Sequence, residues 1–351
     1  MYKRFAIVLA FTLAILLALS ACAIQQPPAV EMAPAIQAAS EGPTVESSTT
    51  AATETVSDDG YSVTIEHEGG KTVLTSPPQR VVVLEYSYAD ALFVLGVEPI
   101  GYADDGVPAY LLERLKDTDA VPVGTRNEPN LETISTLQPD LIIADVTRHS
   151  TSFEVLNQIA PTLMYDSYRG SFENQIAILE SLGTVFQKED VAQTAIADAY
   201  DALEEAQRLV VGHERKVAVG VLAATGLTAH SSESFKGSLL AYLGLPTELE
   251  PQNGEVQFLV NLETIAHLAP QAIVVTCSPD DRVLWDEWTA QPVWQQLDAV
   301  QNDHVYVFNR DLWSKSRGLI ALQLILRDAR ESGLLTGDPS TSTTCPDPVV
   351  N

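Results

Sequence analysis

One segment of sixteen residues occurs twice in this chain. Asn130 onward reads NLETISTLQPDLIIAD and Asn261 onward reads NLETIAHLAPQAIVVT, identical at half their positions without a gap. Each copy predicts a short helix opened by an asparagine cap, a proline break and a buried strand. Between the copies, Lys188 to Val211 runs 24 residues without Gly or Pro, with apolar residues at Val191, Ile196, Tyr200 and Leu203. That stretch predicts one helix about 36 Å long. A duplicated unit on either side of a rigid helix constrains the chain to two similar α/β lobes. Lobes joined in this way leave a cleft between them, and such clefts are where small ligands bind.

The rest of the folded part agrees with that frame. Tyr61 to Thr75 alternates polar and apolar residues around Gly69-Gly70, a hairpin signal. Short apolar strands at Arg80–Leu84, Leu141–Ala144 and Thr162–Tyr165 then alternate with helical stretches. The alternation resumes after the long helix with strands at Lys216–Leu222, Ala272–Thr276 and His304–Phe308. Alternation of this kind indicates βαβ units around parallel sheets.

The N-terminus reads as an export signal: basic Lys3 and Arg4, an apolar run from Phe5 to Leu17, then Leu19-Ser20-Ala21-Cys22. The run is short for a membrane span, which takes about 20 apolar residues. Its end resembles the bacterial lipobox, in which the cysteine, here Cys22, is acylated. From Ala23 to about Gly60 the composition is dominated by Ala, Ser, Thr, Pro, Glu and Gln without aromatics, as expected of a flexible tether. The expected divisions are therefore 1–22 signal and lipobox, 23–60 flexible linker, 61–187 N-terminal lobe, 188–211 inter-lobe helix, 212–332 C-terminal lobe and 333–351 disordered tail. Cys277 ends an apolar run and Cys345 lies in the tail. An exported location permits a disulfide between them, and a buried thiol with an unrelated tail cysteine is the other reading.

The formal net charge of −27 excludes nucleic acid as a partner held by bulk electrostatics. It also makes clustered arginines informative. In open α/β sheets ligands bind beyond the carboxyl ends of the strands. The residues after successive predicted strands include Arg126, Arg148, Tyr168, Arg169, Arg282, Arg310, Trp313, Lys315 and Arg317. Arginine presents a planar fork that suits carboxylates, so this rim is a candidate anion trap. Tyr86, Tyr88 and Trp313 lie near the same rim. The six histidines are scattered without metal-ligand spacing, which disfavours a bare-metal receptor. His149 and His230 fall near the rim, within reach of a ligand, although satisfied loop histidines are the commoner case. There is no G-x-S-x-G elbow, no phosphate-binding glycine loop and no C-x-x-C pair, so catalysis has no positive support.

The segments PQRVVVLEYSYADALFVLGVEPIGYADD, VGTRNEPNLETISTLQPDLIIADVTRHS and VWQQLDAVQNDHVYVFNRDLWSKSRG resemble periplasmic iron-siderophore-binding proteins of ABC importers. Within that family the ferric dicitrate-binding kind is closest in pattern, over about Pro78 to Arg330. The resemblance implies two Rossmann-like α/β lobes bridged by a single long helix, the class III periplasmic-binding-protein fold, acting as a monomer with small hinge motion. It also implies a ferric chelate, iron(III) citrate first, held between the lobes, with no cofactor of its own. Arg126 and Arg148 would clamp carboxylates from the first lobe, and Trp313 and Arg317 would close from the second, with Tyr86, Tyr168 and Arg169 nearby. At Tyr168 the sequence departs from the dicitrate pattern, which more often carries a basic residue there; Arg169 is the neighbour that could substitute. Glu132 and Glu263, equivalent in the two copies of NLETI, would each dock one of the two permease subunits. The alternatives are another carboxylate or hydroxamate siderophore, cobalamin, or a non-transport signalling lipoprotein with the same fold.

Overall fold

The structure is a computed structural model that describes residues 53–54, 61–340 and 344–346. The expected export signal, Cys22 and most of the 23–60 linker lie outside the described residues. Within that linker, strand β1 (Thr53–Glu54) pairs antiparallel with β2 (Val63–His67), so these two residues belong to a sheet and not to a tether. The physical reason is that the hairpin leaves one edge of β2 open for pairing. Strand β3 (Gly70–Leu74) completes the hairpin, with His67 opposite Gly70 across a two-residue turn. Gly70 has φ of 116°, a conformation that glycine reaches without strain. No helix among the described residues is long and apolar enough to cross a membrane.

The first lobe is built on β4 (Val81–Val83), β5 (Gly101–Tyr102), β6 (Val121–Pro122), β7 (Leu141–Asp145) and β8 (Thr162–Tyr165), all parallel, in the order β6-β5-β4-β7-β8. The second uses β9 (Val217–Ala223), β10 (Gly226–His230), β11 (Gln257–Val260), β12 (Ala272–Cys277) and β13 (Val305–Asn309), in the order β11-β10-β9-β12-β13. Counted from each lobe's first strand, both orders read 3-2-1-4-5. The second sheet is mixed, because β10 runs antiparallel to both neighbours. Only Ala224 and Thr225 separate β9 from β10, and a connection that short can make only a hairpin.

The repeat has the same geometry twice. The Asn130 side chain accepts from Thr133 N–H and the Asn261 side chain from Thr264 N–H, capping helices Leu131–Leu137 and Leu262–Leu268. Both helices end on a left-handed residue, Gln138 and Ala269, before the proline. Each unit then delivers an inner strand of its sheet, β7 or β12, with every residue buried. Ile134 and Ile265 are fully buried at matching positions, whereas Glu132 and Glu263 are exposed.

The helix Glu189–Val210 joins the lobes over about 33 Å. Its buried stripe is Ala192, Ile196, Ala199, Leu203, Ala206 and Val210, spaced alternately four and three apart. Alanine, and not Val191, carries the N-terminal part of that stripe; Val191 is exposed. Small side chains let the helix approach one continuous core that includes Val81 and Val83 of the first lobe and Val217, Val219 and Val274 of the second. Lobes that share a core have little freedom to swing apart.

A second tie crosses the lobes at Asp90. Its carboxylate accepts from the N–H groups of Ile320 and Ala321 at 3.0 Å each and from Tyr110 Oη at 2.8 Å, capping the last helix, Leu319–Glu331, from the opposite lobe. A Cβ on Gly318 would lie 2.0 Å from Asp90 Cγ, so glycine is required for this approach.

The segment after Gly333, expected to be disordered, is held in its described parts. Leu334 and Leu335 are buried, Arg215 donates to Leu334 O, Tyr306 Oη donates to Asp338 O at 2.7 Å, and Ser340 N donates to Asp303 O. Cys345 is disulfide-bonded to Cys277 at the end of β12, with 68 residues of separation. A loop of that size corresponds to about 4 kcal/mol of stabilisation in the chain-entropy model. Buried apolar residues and a crosslink outweigh the polar composition that suggested disorder.

Candidate functional site

The carboxyl ends of the first sheet bring together five charged side chains from four strand exits and a tyrosine from the fifth. Glu85 follows β4, Asp105 follows β5, Arg126 follows β6, Asp145 ends β7 with Arg148 three residues on, and Tyr168 follows β8. The strand order reverses between β4 and β7, and that crevice is where Glu85 and Arg148 meet. Arg148 Nε lies 2.5 Å from Glu85 Oε1, and Arg126 Nη1 lies 3.8 Å from Glu85 Oε2. Arg126 also grips Asp105 with two parallel bonds, Nε to Oδ1 at 2.9 Å and Nη2 to Oδ2 at 3.0 Å.

The supporting contacts explain why these side chains stay in place. Tyr86 Oη donates to Asp105 Oδ1 at 2.8 Å, and the Arg126 guanidinium sits 4.3 Å from the Tyr86 ring centroid. Asp145 accepts from the backbone N–H groups of Arg148, Ser167 and Tyr168. His149 Nδ1 accepts from Asp145 N, so its Nε2–H donates to Arg126 O at 2.7 Å. Burial, aided by Arg148, keeps this imidazole below its ordinary value. His149 is therefore a satisfied loop histidine. Burial pushes the Glu85 carboxyl up to about 7 against the pull of Arg148 and Arg126. Burial also acts to raise Asp105, but its bonds from Arg126 and Tyr86 outweigh that and hold it at about 2.

The second lobe contributes a different set. Arg317 follows the π-helical turn Asp311–Lys315 and is 5% exposed, yet its Nη1 has no hydrogen-bond partner. Lys236, in the first turn of the helix Phe235–Tyr242, is 3% exposed and donates from Nζ to Ser314 Oγ at 2.9 Å. Among the described residues it pairs with no carboxylate. Ser314 Oγ in turn contacts Thr276 Oγ1 of β12 at 2.7 Å. His230, the last residue of β10, is buried with both ring nitrogens unpartnered. Burial pushes both His230 and Lys236 well below their ordinary values, and Arg317 adds to the effect on each.

Tyr168 is where the two sets meet. Arg148 lies 4.6 Å from its ring centroid and Arg317 lies 6.0 Å from it. Its carbonyl accepts from Gln257 Nε2 at 3.0 Å, and Gln257 is the β11 partner of His230. Arg169, next in the chain, reaches Glu255 of the second lobe at 2.6 Å.

The structure thus brings Arg126, Arg148, Tyr86, Tyr168 and Arg317 into one region and engages Arg169 with Glu255 at its margin. Trp313 goes elsewhere. It is 1% exposed, stacked on Phe308 at 3.9 Å, with its indole N–H donating to Asp328 at 3.2 Å. The π-helical turn directs Ser314 toward Lys236 and Lys315 toward Gly106 O, and leaves Trp313 facing the core. Trp313 is therefore corrected from a ligand contact to a packing residue. Glu85, Asp105 and Lys236 do not stand out in the sequence as site residues, whereas His230 does by its place near the rim. One signal was available for Lys236: a lysine in the first turn of an apolar helix opposes the helix dipole. Among the described residues no group of three or more His, Cys, Asp or Glu side chains is arranged to hold a metal ion.

A family model described as periplasmic binding protein matches residues 81–312. The Fe(3+)-citrate-binding protein YfmC of Bacillus subtilis is 33% identical over 266 residues, covering 75% of this chain and 84% of YfmC. The Fe(3+) dicitrate-binding periplasmic protein FecB of Escherichia coli is 32% identical over 272 residues, covering 76% of this chain and 89% of FecB. Among solved structures, Staphylococcus aureus SirA complexed with staphyloferrin B superposes with a TM-score of 0.66 at 26% identity, covering 76% of this chain and 97% of SirA.

Proposed function

Starting from the fact that this chain belongs to the periplasmic binding protein family, we propose that it captures an anionic ferric chelate, iron(III) citrate first, for an ABC importer. Its relatives are substrate-binding proteins and not enzymes. The observation that carries the reading is the convergence of Arg126, Arg148, Arg317 and Lys236 on one inter-lobe region of a chain with net charge −27. Carboxylate oxygens are the acceptors that guanidinium and ammonium groups satisfy best in such a setting. The citrate receptors YfmC and FecB support citrate as the chelator, and the complex of SirA with staphyloferrin B supports a small-molecule ligand of this kind in the same fold. Iron arrives as part of the cargo, and the protein recognises the chelator.

In this reading Cys22 carries a lipid that tethers the receptor to a membrane. Glu132 and Glu263, exposed at equivalent positions, each engage one permease subunit. The test of cargo is calorimetric titration of the compact unit Ser48–Asn351 with ferric citrate, iron-free citrate and a ferric hydroxamate. The expected result is tight binding of ferric citrate and weakening as salt is added. Selective binding of the hydroxamate would refute the carboxylate reading.

A further inference from the structure

Among the described residues, the buried polar atoms of the second lobe without a partner include both ring nitrogens of His230, Ser231 Oγ and Arg317 Nη1. Such atoms are rare in a folded protein, and each carries a desolvation cost that a hydrogen bond would otherwise offset. His230 and Arg317 sit beside Lys236, whose ammonium is buried against a hydroxyl alone. A buried ammonium without a counter-charge is more costly still. His230 faces Lys236 and Arg317, Lys236 faces Arg317 and Arg310, and Arg317 faces Glu85, Asp145, Arg126 and Arg148 across the lobes. Every charged neighbour of His230 and Lys236 in that set is therefore a cation. First-lobe carboxylates do not reach them: Asp105 is held by Arg126, and Glu85 by Arg148.

We propose that Lys236 and His230, with Arg317, form the second-lobe half of the chelate site, bonding carboxylate oxygens of the cargo, and that the site takes up protons as the anion binds. This rests on the anionic-chelate reading above and extends it to residues and a proton balance. An anion placed among these groups favours their protonated forms, so the unpartnered His230 imidazole binds a proton from solvent on capture, while Lys236 meets the anion as the ammonium. The cargo also competes with Glu85 for Arg148, which favours protonation of that carboxyl too. Both lobes therefore change in the same direction. A complex that binds more protons than the free receptor weakens as pH rises.

The test is calorimetry of the compact unit Ser48–Asn351 with ferric citrate, a ferric staphyloferrin and ferric desferrioxamine, in buffers of differing ionisation enthalpy across pH 6 to 9. The wild type is expected to take up protons on binding either carboxylate chelate, with affinity falling as pH rises. Lys236→Met is expected to weaken that binding about 10- to 100-fold, the loss of a charge-assisted hydrogen bond. His230→Gln, which keeps polar atoms but cannot protonate, is expected to reduce proton uptake and flatten the pH profile. Circular dichroism identifies a variant that fails to fold, and the wild-type proton balance then decides alone. Carboxylate binding without proton uptake would overturn the proposal, as would folded variants that behave as wild type. Preference for the staphyloferrin would refute ferric citrate as cargo while supporting the second-lobe site. Binding of desferrioxamine alone, or of nothing, would overturn both.

Discussion

Inside the cleft, each first-lobe guanidinium has a carboxylate: Arg126 holds Asp105, and Arg148 holds Glu85. Across from them, Lys236 has only a serine hydroxyl, His230 has no partner, and Arg317 has an unbonded Nη1. On the outside the lobes match, with Glu132 and Glu263 on equivalent capped helices. The same strand order and the same repeated unit thus carry like surfaces and unlike interiors. Pairing fixes the first-lobe arginines in position before any ligand arrives. Leaving the second-lobe cations unpaired costs stability but keeps their charge available to an anion. The division suggests one lobe that presents a rigid wall and another that supplies the attraction.

The largest effect is expected where the lobes match. Replacing Glu132 and Glu263 together by arginine should abolish uptake in cells while leaving chelate affinity unchanged in vitro. Undiminished uptake would remove both residues from docking and break the outer half of the comparison. Next come the interiors. Arg126→Met strips Asp105 and Glu85 of a counter-charge, and urea denaturation should show a loss of about 3 kcal/mol. Lys236→Met removes an uncompensated buried cation, so the same measurement should show stability unchanged or raised. Equal losses in the two variants would mean that the lobes do not differ in this way.

The smallest effect is a tilt of stability with pH in the ligand-free protein. Glu85 is raised to about 7 from 4.5, so its contribution is present below about 4.5 and is lost as pH rises through about 7. His230 is lowered from 6.5, so its contribution is present above 6.5 and is lost as pH falls toward its depressed value. Between pH 4.5 and 6.5 the two act with opposite sign. Glu85→Gln should therefore make the stability slope more positive, and His230→Gln should make it less positive. Slopes that shift in the same direction would contradict the assignment of opposite environments.

Much of the frame was legible in the sequence because it depends on local rules. The asparagine caps, the prolines and the apolar strands of the repeat specify the same unit twice, and the Gly- and Pro-free stretch specifies the long helix. The antiparallel β10 was not legible as such, since a two-residue connection after β9 registers only when both strand ends are known. Arg126, Arg148 and Arg317 could be found from their places after strands, but their partners could not. Glu85 and Arg148 are 63 positions apart in the chain and meet only where the sheet order reverses. Trp313 illustrates the converse: its distance from a strand end was readable, but the π-helical turn that faces it inward was not. The polar tail is held against its composition by buried Leu334 and Leu335 and by the Cys277–Cys345 crosslink, long-range contacts that local composition does not reveal.

The central claim is that the second lobe's unpaired cations receive the cargo while the Arg126–Asp105 pair of the first lobe stays in place. A crystal structure of the compact unit with bound ferric citrate tests it most directly. The account predicts carboxylate oxygens within hydrogen-bond reach of Lys236 Nζ and Arg317 Nη1, with the Arg126–Asp105 pair intact. A chelate bonded only by first-lobe arginines, with Lys236 still on Ser314 and His230 still unpartnered, would contradict it.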